Sequence, residues 1–293
     1  MQSITPFLWF DDQAEEAMNF YVSLFKHSKT GSIIRYGEGG RGPIGKVMSA
    51  TFELDGYEFI ALNGGPVFKI TPSISFFVNC TSEEDIGGLW QKLSDGGTVM
   101  MELAQYPFSE KFGWVSDRFG VSWQLSLTRS TPRIAPFLMF SGEQFGKAEE
   151  AITLYTSAFE NSRIMAINRY GNNQGGKEGT VMLARFQLRG QEFMAIDAAM
   201  EHAFNFTPAI SLFVKCESQK EVDHFWDVLS NGGEQGQCGW LKDRYGVSWQ
   251  IVPTVLGTML QDKDHDKTKR VIEALLQMTK LDIATLQNAY DQH

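Results

Sequence analysis

Long hydrophobic runs are missing from this chain. No stretch approaches the roughly 18 consecutive apolar residues that a membrane-spanning helix needs, so no membrane partner is expected. Blocks of like charge are missing as well, and acidic side chains outnumber basic ones, 35 against 26, for a formal net charge of −9. Binding to phosphate backbones draws on concentrated Lys and Arg, which argues against a nucleic-acid partner. Cysteine is scarce: there are three, none at C-x-x-C spacing, and three cannot all pair. Reduced thiols and a cytoplasmic protein are the expectation. The opening "MQSITPFLWF" has no basic segment ahead of its short apolar one, so no secretory leader is expected.

What is present is an ordinary globular composition, 43% hydrophobic and 21% charged over 293 residues, with room for about two domains. The chain then repeats itself. "ITPFLWF" from Ile4 returns as "IAPFLMF" from Ile134, and "AEEAMNFYVSLF" from Ala14 as "AEEAITLYTSAF" from Ala148. "SISFFVNC" from Ser73 returns as "AISLFVKC" from Ala209, and "FGWVSDRFGVSWQL" from Phe112 as "CGWLKDRYGVSWQI" from Cys238. Repeats of this kind define architecture before any local feature does. They predict two homologous domains at 1–130 and 131–254, with a tail at 255–293. The copies differ most where the first carries "TVMMELAQYPFSEKF" and the second only "EQGQC", which predicts one long loop in the first domain.

Within each copy the hydrophobic period switches between 2 and 3.6. A short buried strand leads to a helix with Ala14, Ala17, Met18, Tyr21, Leu24 and Phe25 on one face. Three strand-like runs follow, then a second strand. Ser82 with Asp85, and Ser218 with Glu221, mark further helix starts. Each copy is thus a pair of βαβββ modules, and the fold class is α+β: curved mixed sheets with helices outside, plus a helical tail. Two amphipathic helices joined near Lys280 are expected in that tail, their apolar stripes covered by the chain's own sheets or by a second subunit.

Alternation along the strands separates two faces. Ile74, Phe76 and Val78 share one with Trp123 and Leu125. Ser73, Ser75 and Phe77 share the other with Ser122, Gln124 and Ser126. The second face is expected to form a cup lined by small polar groups. Asp117 and Arg118 could serve as acid–base or anion-binding groups, but a hairpin turn stabilised by Asp117 and a glycine is favoured. Trp114 and Trp240 fit either a cup mouth or packing. Cys80 and Cys216 read as small buried side chains.

Taken together, "PFLWFDDQAEEAMNFYVSLF", "YPFSEKFGWVSDRFGVSWQL" and "MTKLDIATLQNAY" resemble the PhnB-like branch of the vicinal-oxygen-chelate superfamily. That branch is customarily labelled 3-demethylubiquinone-9 3-methyltransferase; the superfamily includes glyoxalase I, extradiol dioxygenases and bleomycin-resistance proteins. The resemblance implies paired βαβββ modules, and in the enzymes a divalent metal held by His and Glu from four strands. The ligand positions carried over fall near Pro6 and Pro136, near Ser73 and Ala209, on Gln124 and Gln250, and near Asn63 and Asp197. Only Asp197 among these is an anionic donor, and none of the five histidines (His27, His202, His224, His265, His293) falls on these strands. The methyltransferase label would call for a glycine-rich turn between a strand and a helix, whereas "GEGGRGPIG" (37–45) and "GNNQGGKEG" (171–179) lie between strand-like runs. They read as hairpin loops or mobile lids.

The expectation is a small-molecule-binding protein without a metal or other cofactor. Its two cups would be lined by Asn63, Ser73, Ser75, Ser122 and Gln124, and by Asp197, Ser211, Ser248 and Gln250. The segment from Tyr106 to Phe112 would close over the first. The alternatives are a lyase, isomerase or dioxygenase with a divalent metal near Asp197, and an assembly module without a ligand. The duplication implies an intrachain pseudo-dimer, with further self-association open.

Overall fold

The computed structural model describes residues 2–36, 42–128, 134–200 and 202–292. Four βαβββ modules follow one another. The first runs β1 (Ile4–Phe10), α1 (Ala14–Leu24), β2 (Lys29–Arg35), β3 (Val47–Leu54) and β4 (Tyr57–Asn63). The second is β5 (Ile74–Cys80), α2 (Glu83–Ser94), β6 (Thr98–Tyr106), β7 (Ser109–Ser116) and β8 (Ser122–Leu127). The third is β9 (Ile134–Phe140), α3 (Ala148–Ala158), β10 (Arg163–Arg169), β11 (Val181–Leu188) and β12 (Gln191–Asp197). The fourth is β13 (Ile210–Cys216), α4 (Gln219–Ser230), β14 (Glu234–Gln235), β15 (Trp240–Lys242) and β16 (Ser248–Pro253). Three helices end the chain: α5 (Thr254–Leu260), α6 (His265–Leu275) and α7 (Ile283–Asp291).

Two compact units emerge, one of Gln2 and Pro6–Ile210, the other of Ser211–His293 with Ser3–Thr5. In the larger, the second and third modules share an eight-stranded mixed sheet ordered β10-β11-β12-β9-β5-β8-β7-β6. Its centre is an antiparallel pair, β5 with β9, in which Ser75 lies opposite Phe137 and Phe77 opposite Ala135. The sheet therefore joins the second half of one repeat to the first half of the next. The aromatic packing around Trp123 on the helix-facing side does the reverse and stays within the first repeat. Trp123, fully buried, meets Tyr21, Phe25 and Phe76 at ring centroids of 5.3, 5.6 and 5.3 Å. Phe59 on β4 packs against Phe76 on β5 at 5.0 Å. Each such aromatic removes enough apolar area from water to contribute on the order of 3 kcal/mol.

The doubled phrase is a turn. Asp117 Oδ1 accepts from the amides of Phe119 (2.8 Å) and Val121 (3.1 Å), and Oδ2 accepts from the Trp123 indole (2.8 Å). Asp243 repeats this with Tyr245 (2.9 Å), Val247 (3.1 Å) and the Trp249 indole (2.8 Å). Gly120 and Gly246 take the left-handed conformations, φ +85° and +90°, that close each turn. Burial pushes the Asp117 carboxyl up, while the bonds from the Trp123 indole and the two amides pull it back. Arg118 lies over the ring of Phe20, 4.3 Å from its centroid, and faces Glu16 at 3.6 Å. Both side chains of the D-R pair are thus occupied in building the fold.

The helix-start signals match the structure. Asp85 N–H donates to Ser82 Oγ (3.1 Å) and Glu221 N–H to Ser218 Oγ (3.3 Å). Two expectations need correcting. The segment from Tyr106 to Phe112 is not a loop: it is the end of the β6–β7 hairpin, which pairs Tyr106 with Ser109 and Ala104 with Phe112. The tail has three helices rather than two, because α5 follows β16 without a break. Of the glycine-rich segments, 42–45 and 171–179 join strand to strand, and 37–41 lie outside the described residues.

Candidate functional site

Among the described residues, α2 and α3 pack on one face of the sheet of the second and third modules, and the other face is without helices. Strand alternation assigns each side chain. On β5 and β8, Ile74, Phe76, Val78, Trp123 and Leu125 face the helical core, and all are buried. Ser75, Phe77, Ser122 and Gln124 face the other way. The registers Ser75–Ser122 and Phe77–Gln124 place them side by side. On this face Gln124 Nε2 donates to Ser75 Oγ (2.9 Å), and the Trp114 indole donates to Ser122 Oγ (2.7 Å). That assigns Trp114 to the cup face, opposite Gln124 across β7 and β8.

Two acceptors or donors remain unused. Gln124 is 5% exposed, and its Oε1 has no hydrogen-bond partner among the described residues. The Ser73 hydroxyl, one pair of residues before Ser75, is buried and also without a partner among them. A buried hydroxyl left unpaired, as at Ser73, is costly.

The lining is less polar than the sequence suggested. Beyond the strip of Ser75, Ser122 and Gln124, Phe77 packs with Ala135, Phe137 and Met194. A second cluster gathers Phe112, Trp114 and Met139, with Tyr106 and Phe204 against it. The expectation of a cup of small polar groups came from β5 and β8 alone. The strands that pair beside them, β9 and β12, contribute aromatic and Met side chains instead. The alternation of "IAPFLMF" already put Ala135, Phe137 and Met139 on one face; the missing signal was which strands β5 would join.

Two of the expected site residues belong to the opposite face. Asp197 follows Phe193 and Ala195 in the helix-facing register, and its carboxylate receives backbone amides. Oδ1 accepts from Gly146 (2.8 Å) and Ala148 (3.1 Å), and Oδ2 accepts from Val181 (2.8 Å). It thereby holds the start of α3, where a negative group also suits the helix dipole. Burial pushes its carboxyl up; the bonds from Val181, Ala148 and Gly146 pull it down, and burial prevails. Asn63 does the same for α1, accepting from Ala14 N–H (2.8 Å) and donating to Val47 O (2.9 Å). The grouping also changes. Asp197 shares a sheet with Ser75 and Gln124, whereas Asn63 does not, because β5 pairs with β9 of the next repeat.

Ser211, Ser248 and Gln250 lie in the smaller unit. Gln250 Nε2 donates to Ser211 Oγ (2.9 Å), and Ser248 is opposite Ser211 on β13 and β16. Here the same face is covered by the tail. Val252 on β16 packs with Leu256, Met259, Val271, Leu281 and Leu286, and Phe213 on β13 rests against them. The Cys238 and Gly239 amides donate to Met278 O (2.7 Å) and Thr279 O (2.8 Å).

The donors at the metal positions implied by the superfamily do not suit a divalent ion. Pro136 faces the core opposite Phe76. Asp197 is saturated by three amides on the far side of the sheet, and Gln124 and Ser73 are neutral. Among the described residues no three His, Cys, Asp or Glu side chains are gathered to hold an ion. His293 lies outside those residues.

A family model described as 3-demethylubiquinone-9 3-methyltransferase matches residues 2–126 and again 132–252. A solved PhnB protein from Bacillus cereus, carrying the same description, is 50% identical over 43% of this chain and 100% of its own, with a TM-score of 0.42. Glyoxalase I from Zea mays is 12% identical, with a TM-score of 0.58 over 90% of this chain and 97% of its own. That likeness is one of fold. A search of curated proteins found no match to the chain.

Proposed function

We propose that this chain, which belongs to the 3-demethylubiquinone-9 3-methyltransferase family, binds a small molecule on the helix-free face of the eight-stranded sheet of its second and third modules and uses no catalytic metal there. One observation carries the proposal: Gln124 Oε1 and the Ser73 hydroxyl lie unpartnered among the described residues beside a wall of buried aromatic and Met side chains. A concave apolar surface with a few convergent polar groups is the usual form of a small-molecule site. The apolar wall supplies affinity and the Gln124 carbonyl supplies orientation, by accepting a ligand N–H or O–H. The methyltransferase description finds no support in a nucleotide-type fold. The mixed sheet is not doubly wound, and the described parts of the glycine-rich segments join strands, with no helix N-terminus to receive phosphate.

Thermal-shift screening of a metabolite library against the intact protein tests this reading, since a ligand of the native state raises the melting temperature by mass action. For a hit, Gln124→Leu is expected to weaken binding about tenfold, the worth of one net hydrogen bond. Gln250→Leu is expected to leave it unchanged. Equal loss from both variants, or about one tightly bound transition-metal ion per purified chain, would sink the proposal.

A further inference from the structure

The face that carries Gln124 also carries the ion pair of Arg185 with Glu192. Arg185 on β11 lies opposite Met194 on β12, and Met194 lies opposite Phe137 on β9. Phe137 faces Ser75 on β5, and Ser75 faces Ser122 on β8. One row across the sheet therefore runs Arg185, Met194, Phe137, Ser75, Ser122. A guanidinium stands at one end, hydroxyls at the other, and apolar side chains between. Arg185 and Ser75 are three strands apart, about 14 Å along the sheet.

The guanidinium is held rather than spent. Its Nε (2.8 Å) and Nη2 (2.7 Å) both reach the same oxygen of Glu192, Oε1. Glu192 is 7% exposed and Arg185 39% exposed, so the carboxylate is buried while part of the arginine side chain meets solvent. The Nη1 side of the fork has no partner among the described residues. A planar fork fixed on one edge and open on the other is arranged to receive a second carboxylate or phosphate.

The fold itself does not require this arginine. The first repeat places Thr51 at the same point of "VMSATFEL" that Arg185 occupies in "VMLARFQL". Thr51 Oγ1 there accepts from Ser32 N–H (2.9 Å), and β3 pairs with β4 just as β11 pairs with β12. Neutralising Glu192 is a sufficient reason for a cation, but it leaves the Nη1 edge of the fork without a use among the described residues.

We infer that the ligand of this cup is an elongated amphipathic anion: an apolar or aromatic body over Phe137, Phe77 and Met194, an anionic group on the free edge of Arg185, and a hydrogen-bond donor toward Gln124. The inference rests on the cup being the binding site and adds the chemical class of what enters it. A length on the order of 10–15 Å follows from the strand spacing.

The test uses two probes of matched length, 8-phenyloctanoate and 8-phenyloctanol, with binding to the intact protein measured by calorimetry. The carboxylate is expected to bind at least about tenfold tighter than the alcohol. Arg185→Lys keeps the charge but loses the fork, and should reduce that preference. Arg185→Thr with Glu192→Gln removes both charges together, so that no buried carboxylate is stranded, and should abolish the preference while leaving the alcohol's affinity unchanged. Equal binding of both probes in every variant overturns the anion assignment and leaves the cup standing. Binding of neither probe overturns the assignment too, while the cup itself is then judged by the library screen.

Discussion

The two repeats end their sheets in different ways. In the first, the strands before the shared turn extend into the long β6–β7 hairpin, whose tip stacks Tyr106 on Phe108 at 5.5 Å and sets both rings against Phe112. In the second, β14 and β15 shrink to two and three residues, and α5–α7 close the same edge. A strand pair leaves the neighbouring face of Ser75 and Gln124 with unpartnered polar atoms among the described residues. The tail instead packs Leu281, between α6 and α7, and Leu286 on α7 into a cluster with Val252 and Phe213. Equivalent positions therefore diverge in use: Ser126 lies opposite Phe112 and bonds to Ser109 (3.0 Å), where Val252 is packed in hydrocarbon. The two repeats thus carry two faces of one design, one beside the β6–β7 hairpin and the other packed under the tail.

What the copies share should respond identically, and there the largest effect is expected. Asp117→Ala and Asp243→Ala each strand a buried indole N–H and two amides, at a cost of about 4 kcal/mol, read by urea unfolding. A clear difference between the two would show that the turns are not equivalent. Asp117 adds a pH signature. Its folded pKa is raised by burial, so the native state keeps the proton over a range where the unfolded chain has released it. The stability it contributes is full below the unfolded value near 3.9 and falls as pH rises through the folded value. The gap between wild type and Asp117→Ala should therefore narrow with rising pH.

Where the copies differ, matched truncations should separate stability from binding. Leu281→Ala and Phe112→Ala each remove a buried side chain, and each should cost about 3 kcal/mol. Only Phe112→Ala is expected to weaken a ligand of the first cup, because Leu281 belongs to the covered face. Loss of ligand affinity in Leu281→Ala, measured well below its melting temperature, would break the division of labour between the two edges.

Local chemistry made much of this fold readable before any coordinates. The βαβββ order, the Ser82 and Ser218 helix starts and the Asp117–Gly120 turn are all settled by neighbours within a few residues. The partner of β5 is not. Alternation shows that Ser75 and Phe77 share a face, but carries no information on whether β9 or an earlier strand lies alongside. That choice decided the lining and set Arg185 in it. Asp197 was misassigned for a different reason. The strand position implied by the resemblance puts it in the cup, whereas its two-residue spacing from Ala195 and Phe193 puts it under α3. The first tail helix was missed because "TVLGTML", with Gly257 inside it, is too short to show a period.

Ser73 offers the finest test of the asymmetry. Its hydroxyl is buried without a partner among the described residues, while the second repeat carries Ala209 at the same point. If packing were the only role, the hydroxyl would be a pure liability, since an unsatisfied buried group costs on the order of 1 kcal/mol or more. Ser73→Ala should therefore raise unfolding stability by about 1 kcal/mol. In the same variant a ligand that bonds this hydroxyl should bind several-fold more weakly, the familiar exchange of stability for function at a site. The converse, Ala209→Ser, should lower stability by a similar amount and leave binding unchanged. A Ser73→Ala protein that is both more stable and equally tight-binding would remove Ser73 from the cup and leave Gln124 to orient a ligand on that side of the sheet.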